Sequence, residues 1–478
     1  MIPPEPELWW WLEPLARGVV SVVIGTGVVQ NGLYTTLLAL ALVELVVRPP
    51  ETATARLWSD YRDALPKITV LVPAFNEERT IVQSVRSLLS LHYPSHDVIV
   101  VNDGSTDRTL AILIEAFGLE PALRPFEPVL GHRPIRALYA SARHPNLLVA
   151  DKLNGGKSDA LNAAINLTDA PLLCAVDADT LLEADSLLRA ARPFVDEPDR
   201  TVVVGGTVRV ANGCRVRNGR VTRAALAHRP LVLLQTVEYL RAFTMARLGW
   251  SRIGALTIVS GAFGIFSREV VLAVGGYGTW TVGEDLEMVL KIHRLMGERG
   301  QPYRVAYVPE PMCWTEVPET LGVLAAQRIR WQRGGLEAFF RHHDMLLGRR
   351  HGRVGVLGLG SLLVQDVIAP PVEVIGYLLV PLFWAMGVLD WDYFAAFLAL
   401  SFGYGTFLSI GALLLEEIEL KRWPRIRDLL VLGLAAVVEN LGYRQLLNVF
   451  RVIGIWRFVR RRPAGWGRMI RRGLQTAS

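Results

Sequence analysis

The sequence predicts an α/β domain with a mixed, mostly parallel sheet, set between α-helical membrane segments. Three observations carry that prediction. Between Pro66 and His343, short apolar runs each end in a polar cluster and lead into a helix-period stretch, the pattern of repeated strand and helix units. On either side, from Gly18 to Val47 and from Val354 onward, lie apolar stretches long enough to cross a bilayer. The chain of 478 residues is 51% hydrophobic and 20% charged, with a mean hydropathy of +0.30, too apolar for a soluble protein and too charged for a membrane bundle alone. The expected division is an N-terminal interfacial segment and anchor over 1–59, a cytoplasmic domain over 60–345, and membrane or interfacial helices with a basic cytoplasmic tail over 346–478.

Glu44 is the one charge between Gly18 and Val47. That stretch exceeds the ~20 residues of one upright span and falls short of two. One span over Gly27 to Val47 is expected, with Trp9, Trp10 and Trp11 as an interfacial belt before it. No small-residue cleavage site follows a short basic region, so the segment reads as an anchor rather than a removed signal peptide. Acids precede it and Arg48 and Arg56 follow, which places the next domain in the cytoplasm.

In the alternating region, Ile68–Val72, Val98–Val101, Leu147–Ala150 and Leu172–Val176 read as buried strands. Helices are expected over Glu77–Leu91, capped by Asn76, over Asp107–Phe117, and from Lys157. Residues 118–145 show no period and read as a connection, while Asn212-Gly213 and Asn218-Gly219 suggest a basic hairpin between Val202 and Val221. Ligands of open α/β sheets bind at the carboxyl ends of the strands. Asn76, Asp103, Asp151 with Lys157, and Asp177 with Asp179 all stand there.

Beyond Val354, one stretch reaches Leu389 across Pro370 and Pro371, and a second covers Tyr393–Leu415. Both read as spans. A third, Leu429–Phe450, is interrupted by Glu439, Asn440 and Arg444; crossing once, it puts the arginine-rich tail Arg457–Arg472 outside, so an interfacial or re-entrant element is expected. Asp366 and Glu373 inside the first stretch serve either a polar path or helix packing. The net charge of +6 comes largely from the tail beside apolar segments, which marks membrane flanks and not a nucleic-acid surface. Cys174, Cys214 and Cys313 are too few and too scattered for a disulfide scaffold or a paired-cysteine zinc site, and fit a reducing compartment.

Asp177-Ala178-Asp179 at a strand end sets two carboxylates on one side of an extended backbone, a suitable pair for a hard divalent cation, although such runs also serve as turn and cap residues. Asn154-Gly155-Gly156-Lys157 gives a flexible turn and a cation ahead of a helix, a diphosphate site without the spacing of a nucleoside-triphosphatase loop. Gly283-Glu284-Asp285 opens an amphipathic helix, where acids also suit the dipole without any catalytic duty. Gln327, Arg330 and Trp331 share one helical face, where a guanidinium beside an indole can hold a phosphate and an apolar sugar face together.

Taken in order, Pro73-Ala74-Phe75-Asn76-Glu77-Glu78, Asn102-Asp103-Gly104-Ser105-Thr106-Asp107, Asp177-Ala178-Asp179, Gly283-Glu284-Asp285 and Gln327-x-x-Arg330-Trp331 resemble the inverting family 2 glycosyltransferases. Within them, the set is similar to the membrane-embedded branch of cellulose, chitin, hyaluronan and poly-N-acetylglucosamine synthases. The resemblance implies a GT-A domain (Rossmann-like) that uses a UDP-sugar and a divalent metal, Mg2+ or Mn2+, in a bacterial-type inner membrane. It implies Asp103 on the uracil ring, Pro73, Ala74, Asn76 and Glu77 around the nucleotide, and Lys157 near the uridine or diphosphate. Asp177 and Asp179 meet ribose, phosphate and metal. Asp285, beside Glu284, matches the base that deprotonates the acceptor, and Gln327, Arg330 and Trp331 match the motif that closes over diphosphate and the terminal acceptor sugar. Asn102 stands where many members have a second aspartate, and Gly283 where many have threonine. Ser260-Gly261 and the residues to Phe266, on the acceptor side, are closer to N-acetylglucosamine-polymerising relatives than to cellulose synthases, which favours UDP-N-acetylglucosamine. The expected acceptor is a growing β-linked polysaccharide, with a lipid-linked acceptor for single addition as the alternative, a non-catalytic secretion subunit as a third reading, and export or regulatory subunits as possible partners.

Overall fold

The computed structural model describes residues 6–47, 58, 61, 64–217, 219–420 and 425–461. Arg48 and Arg56, the 59/60 boundary and the tail beyond Arg461 lie outside the described residues. The main sheet has ten strands in the order β3-β4-β5-β2-β1-β6-β11-β8-β12-β7. These are β1 (Ile68–Ala74), β2 (His96–Asp103), β3 (Leu119–Ala122), β4 (Ile135–Ser141), β5 (Leu147–Lys152), β6 (Leu172–Ala175), β7 (Leu181–Leu182) and β8 (Thr201–Val210), followed by β11 (Gly264–Ser267) and β12 (Arg304–Thr315). Between the last two groups, β9 (Arg215–Arg217) and β10 (Arg220–Arg223) form a separate two-stranded sheet.

β5, β2, β1 and β6 run parallel, so Lys152, Asp103, Ala74 and Ala175 emerge on one edge. Their residues are buried on both faces because helices cover both sides of the sheet, which is why these strands are continuous apolar runs rather than alternating ones. β11 enters antiparallel between β6 and β8, and β12 returns parallel to β8.

The helices used below are α1 (Pro6–Val47), α2 (Ile81–Leu89), α3 (Thr109–Phe117), α4 (Lys157–Asn166), α5 (Pro230–Leu240), α6 (Glu284–Arg299) and α7 (Leu321–His342). Toward the C-terminus follow α8 (Ala369–Ala385), α9 (Trp391–Leu398), α10 (Tyr404–Leu420), α11 (Ile426–Val438) and α12 (Arg444–Val459). α5 continues through seven π-helical residues, Arg241–Arg247.

Among the described residues three helices are long and apolar enough to cross a membrane, Trp11–Val47, Val354–Ala385 and Trp391–Glu417. The chain is a membrane protein. α1 differs from expectation, because it is one helix of 42 residues that starts at Pro6 and runs through the tryptophan-rich segment. At 1.5 Å per residue it is about 63 Å long, twice the hydrocarbon thickness. Its first half packs Ala16, Val20 and Val23 against Val380 and Phe383 of α8, while Ala41 and Leu45 join the core of the sheet domain. One helix thus ties the membrane part to the soluble part, and Glu44 meets Arg252 at 2.5 Å there. The third apolar stretch is broken, since Leu441 (φ −101°, ψ 66°) and Gly442 (φ 111°) leave helical geometry between α11 and α12.

Three local expectations are corrected. Residues 118–145 contain β3 and β4, which close the sheet edge, β4 antiparallel to β5 and β3 antiparallel to β4; their short, mixed burial pattern hides the strand period. The hairpin strands are confined to β9 and β10, whereas Val202 belongs to β8, between β11 and β12 of the main sheet. α2 begins at Ile81 after Thr80, so Asn76 is not its cap.

Candidate active site

A single cavity of about 1410 Å³ runs from the ends of β1 and β2, past the start of α6 and the middle of α7, to the walls of α1, α8 and α12. Pro73, Ala74, Asn76, Glu77 and Asp103 border its sheet end. Asn76 has φ 57°, a left-handed conformation that asparagine tolerates. Its N–H donates to Ser105 Oγ at 3.0 Å and its Oδ1 accepts from Thr106 N–H at 2.8 Å, while Glu77 N–H donates to Thr109 Oγ1 at 2.8 Å. The turn after β1 is thereby laced to the loop after β2. Asp103, buried in that loop, accepts Gly155 N–H at 2.9 Å and Gly156 N–H at 2.7 Å, and its own carbonyl accepts the Asn154 amide at 2.7 Å. The glycine turn before α4 is therefore shaped by Asp103. Asn102, in the place of the second aspartate, donates to Asp151 Oδ1 at 2.7 Å in the sheet interior.

Lys157 opens α4 and bridges two acids, Asp177 at 2.7 Å and Glu284 at 2.9 Å. Burial acts to lower the pKa of this ammonium, but Asp177 and Glu284 more than offset it, so the group is held well above its ordinary value. Asp177 and Asp179 lie in a turn after β6, closed by Thr180 N–H on the Asp177 carbonyl at 3.0 Å, and not on extended backbone as expected. Both still border the cavity, because the turn folds back toward the strand end. Burial first, and the neighbouring Asp177 charge second, push the Asp179 carboxyl up to about 7.

Among the described residues no group of three or more His, Cys, Asp or Glu is arranged to hold a metal ion. The pair Asp177 and Asp179 nevertheless has the donor chemistry for one, since two hard oxygens with an excess of negative charge suit a cation that takes its remaining ligands from phosphate and water.

Glu284 and Asp285 start α6. Asp285 accepts Leu286 N–H at 2.8 Å through Oδ1 and Gly261 N–H at 3.2 Å through Oδ2, which aims the carboxylate into the cavity. Burial and then the Glu284 charge raise its pKa, opposed by Lys157 and the two N–H donors. A Cβ at Gly261 lies 2.7 Å from Lys157 Nζ and 3.7 Å from Asp285 Oδ2, so an added side chain there makes the end of the lysine shift. Ser260 borders the cavity next to it.

On α7, Gln327, Arg330 and Trp331 all face the cavity, as their spacing predicts. The guanidinium stacked on the Trp331 indole is, however, that of Arg328, at 4.3 Å from the ring centroid. Arg328 is fixed in turn by Glu238 of α5, with N–O distances of 2.8 and 2.9 Å, and Glu238 accepts the Tyr443 hydroxyl at 2.8 Å from the break before α12. Burial lowers the Arg330 pKa, partly offset by Glu284, Asp177 and Asp285. Gln332 donates to the Asp366 carbonyl and accepts from Arg451 Nε at 2.9 Å, so α7 and α12 are tied beside the membrane end of the cavity. Sequence reasoning missed Glu238 and Arg328. Arg328 was accessible through its i, i+3 spacing to Trp331; Glu238 carries no local signal.

The model of glycosyl transferase family 2 matches residues 69–144, and that of glycosyl transferase family group 2 matches residues 173–410. The chain belongs to glycosyltransferase family 2. This family 2 enzyme is 30% identical over 280 residues to a poly-beta-1,6-N-acetyl-D-glucosamine synthase of Staphylococcus aureus, covering 58% of this chain and 57% of that one. It is 29% identical over 274 residues to the synthase of the same name from Staphylococcus epidermidis, covering 57% and 56%. The chain therefore spans somewhat more than half the length of these curated relatives. A mannosyltransferase from Pyrobaculum calidifontis, solved in complex with GDP-Man and Mn2+, shares the fold at TM-score 0.54 and 19% identity, over 90% of this chain and 99% of that one. The fold is GT-A with membrane helices attached.

Proposed function

We propose that this glycosyltransferase moves a sugar from a UDP-sugar, preferentially UDP-N-acetylglucosamine, to the end of a growing β-linked polysaccharide and feeds the product toward the bilayer. The observation that supports this reading is the continuity of the cavity. It joins Asp103 at the sheet end to Asn31 of α1, Ser401 and Asn448 of α12 at the other, with Asp285 and Trp331 between them. A passage that continues past the acceptor site gives a growing chain a route onward.

In this reading the nucleotide occupies the turn from Pro73 to Glu77 with Asp103, and Lys157 and Arg330 offset charge on the departing diphosphate. Asp177 and Asp179 hold Mg2+ or Mn2+, which supplies Lewis-acid stabilisation of that diphosphate when bound. Asp285 takes the proton of the acceptor hydroxyl as general base, at an oxygen steadied by Gly261 N–H. Trp331, backed by Arg328, carries the apolar face of the terminal acceptor sugar. The catalytic domain is cytoplasmic and the enzyme is a multi-pass protein of a bacterial-type inner membrane, supported by three apolar helices and by the acid and arginine asymmetry around α1. Partner subunits in this reading are ones that serve export or regulation.

The test is UDP release and product mass, measured on purified protein in lipid nanodiscs with Mg2+ or Mn2+ and a panel of UDP-sugars. Metal-dependent release with a ladder of products supports the proposal and names the donor. A product that stops at one sugar on an extracted lipid moves the function to single addition, and no release with any donor contradicts it.

A further inference from the structure

Behind Asp103 lies a buried cation that the reaction above leaves without a role. Lys152 is 0% exposed and stands directly opposite Asp103 in the register of β2 and β5. Its three N–H donors are all committed, to Asp103 Oδ1 at 2.6 Å, to the Leu153 carbonyl at 2.6 Å and to the Asp159 carboxylate. None is left for a ligand, so Lys152 acts only through the carboxylates it holds. Asp159 is turned to the Arg133 N–H, at 2.9 and 3.1 Å, whereas Asp103 borders the cavity.

The two oxygens of Asp103 offer four acceptor positions. Lys152 and Gly155 N–H fill those of Oδ1, and Gly156 N–H takes one on Oδ2. One position on Oδ2 remains. We infer that Lys152 is the positioning residue that sets the choice of nucleobase, by holding Asp103 as a pure acceptor with a single free lone pair. A base that presents a ring N–H at that edge, as uracil does at N3, completes the set. A base that presents a ring lone pair there, as cytosine does at N3, sets lone pair against lone pair. Without the ammonium, Oδ1 keeps only the Gly155 N–H, the carboxylate is free to turn its open Oδ2 position away from the edge of the base, and the preference weakens. The inference rests on the proposed placement of the base at Asp103.

Isothermal titration of the full-length protein in nanodiscs with UDP and with CDP, each with Mg2+, separates the two layers of the argument. The wild-type protein is expected to favour UDP by at least about tenfold. A wild-type ratio near one removes the base from Asp103 and takes the inference with it. Given that preference, Lys152→Met, which keeps the length of the apolar stem, is expected to bring the ratio to about threefold or below. A folded Lys152→Met protein with the wild-type ratio overturns the inference and leaves the placement of the base standing. Because Lys152→Met also strands Asp159, Asp159→Asn and the Lys152→Met/Asp159→Asn double variant complete the set. Asp159→Asn keeps the ratio and the double variant loses it; a fall in Asp159→Asn, or a retained ratio in the double variant, shows that Lys152 serves the fold alone.

Discussion

On the donor side of the cavity, Asp103 and Asp285 each accept two backbone N–H groups; on the membrane side, Trp331 and Asp366 are set by side chains from distant helices. Asp103 is held by the glycine turn that follows β5, the strand next to its own, and Asp285 by N–H groups of Leu286 and Gly261. Trp331 instead depends on Arg328, then on Glu238 of α5, then on Tyr443 beyond the break after α11. Asp366 pairs with Arg451, and Arg241 with Glu439. Backbone donors hold their geometry whatever the neighbouring helices do. A chain of ion pairs between helices holds only while those helices stay in register, so the acceptor end is the more responsive of the two to movement in the membrane part.

The largest expected effect tests the donor side. Asp285→Asn keeps the shape of the side chain and removes the base, and UDP release is expected to fall by about 10² to 10⁴ in kcat with an unchanged melting temperature. Gly261→Ala puts a methyl group where Lys157 Nζ lies at 2.7 Å, and the displaced lysine is expected to cost about 10²-fold in kcat with little change in acceptor KM. Arg328→Met leaves Glu238 without its cation and the indole without its guanidinium. Acceptor KM is expected to rise about tenfold while UDP affinity, measured by titration, stays at the wild-type value. Equal losses on both sides break the comparison, because they mean that the two ends are one mechanical unit.

The smallest effect sharpens it through pH. A general base works only when ionised, so kcat falls as pH drops through the pKa of Asp285, which burial and Glu284 raise above the ordinary value. The acid limb of the pH profile is therefore expected above the usual carboxylate range near pH ~4. Glu284→Gln removes the like charge and is expected to move that limb to lower pH.

Legibility in the sequence follows the same division. The parallel core, the turn at Asp103, the strand-end placement of Asn76 and Asp177, and the face shared by Gln327, Arg330 and Trp331 were readable, because each lies within a few residues of a strand end or on one helical repeat; the local backbone at Asn76 and Asp177 was not. β11 and β12 escaped because β11 is four residues long and β12 is broken in pattern by Pro309-Glu310-Pro311, where its register shifts. Glu238 escaped because it meets Arg328 from 90 residues away, with no local spacing to mark it, whereas Arg328 itself stands one turn from Trp331. The full length of α1 escaped because Pro14 sits inside it and the tryptophans read as a separate belt.

The central claim is that the product of Asp285 chemistry runs from Trp331 into the passage between the membrane helices. Replacing Tyr34, which borders that passage and bonds Gln365 at 3.2 Å, with photoreactive p-benzoylphenylalanine tests it directly. After turnover with a radiolabelled UDP-sugar in nanodiscs, illumination is expected to attach labelled polymer to position 34, and none in the Asp285→Asn background. Active enzyme that releases a labelled polymer and yet leaves position 34 unlabelled contradicts the account.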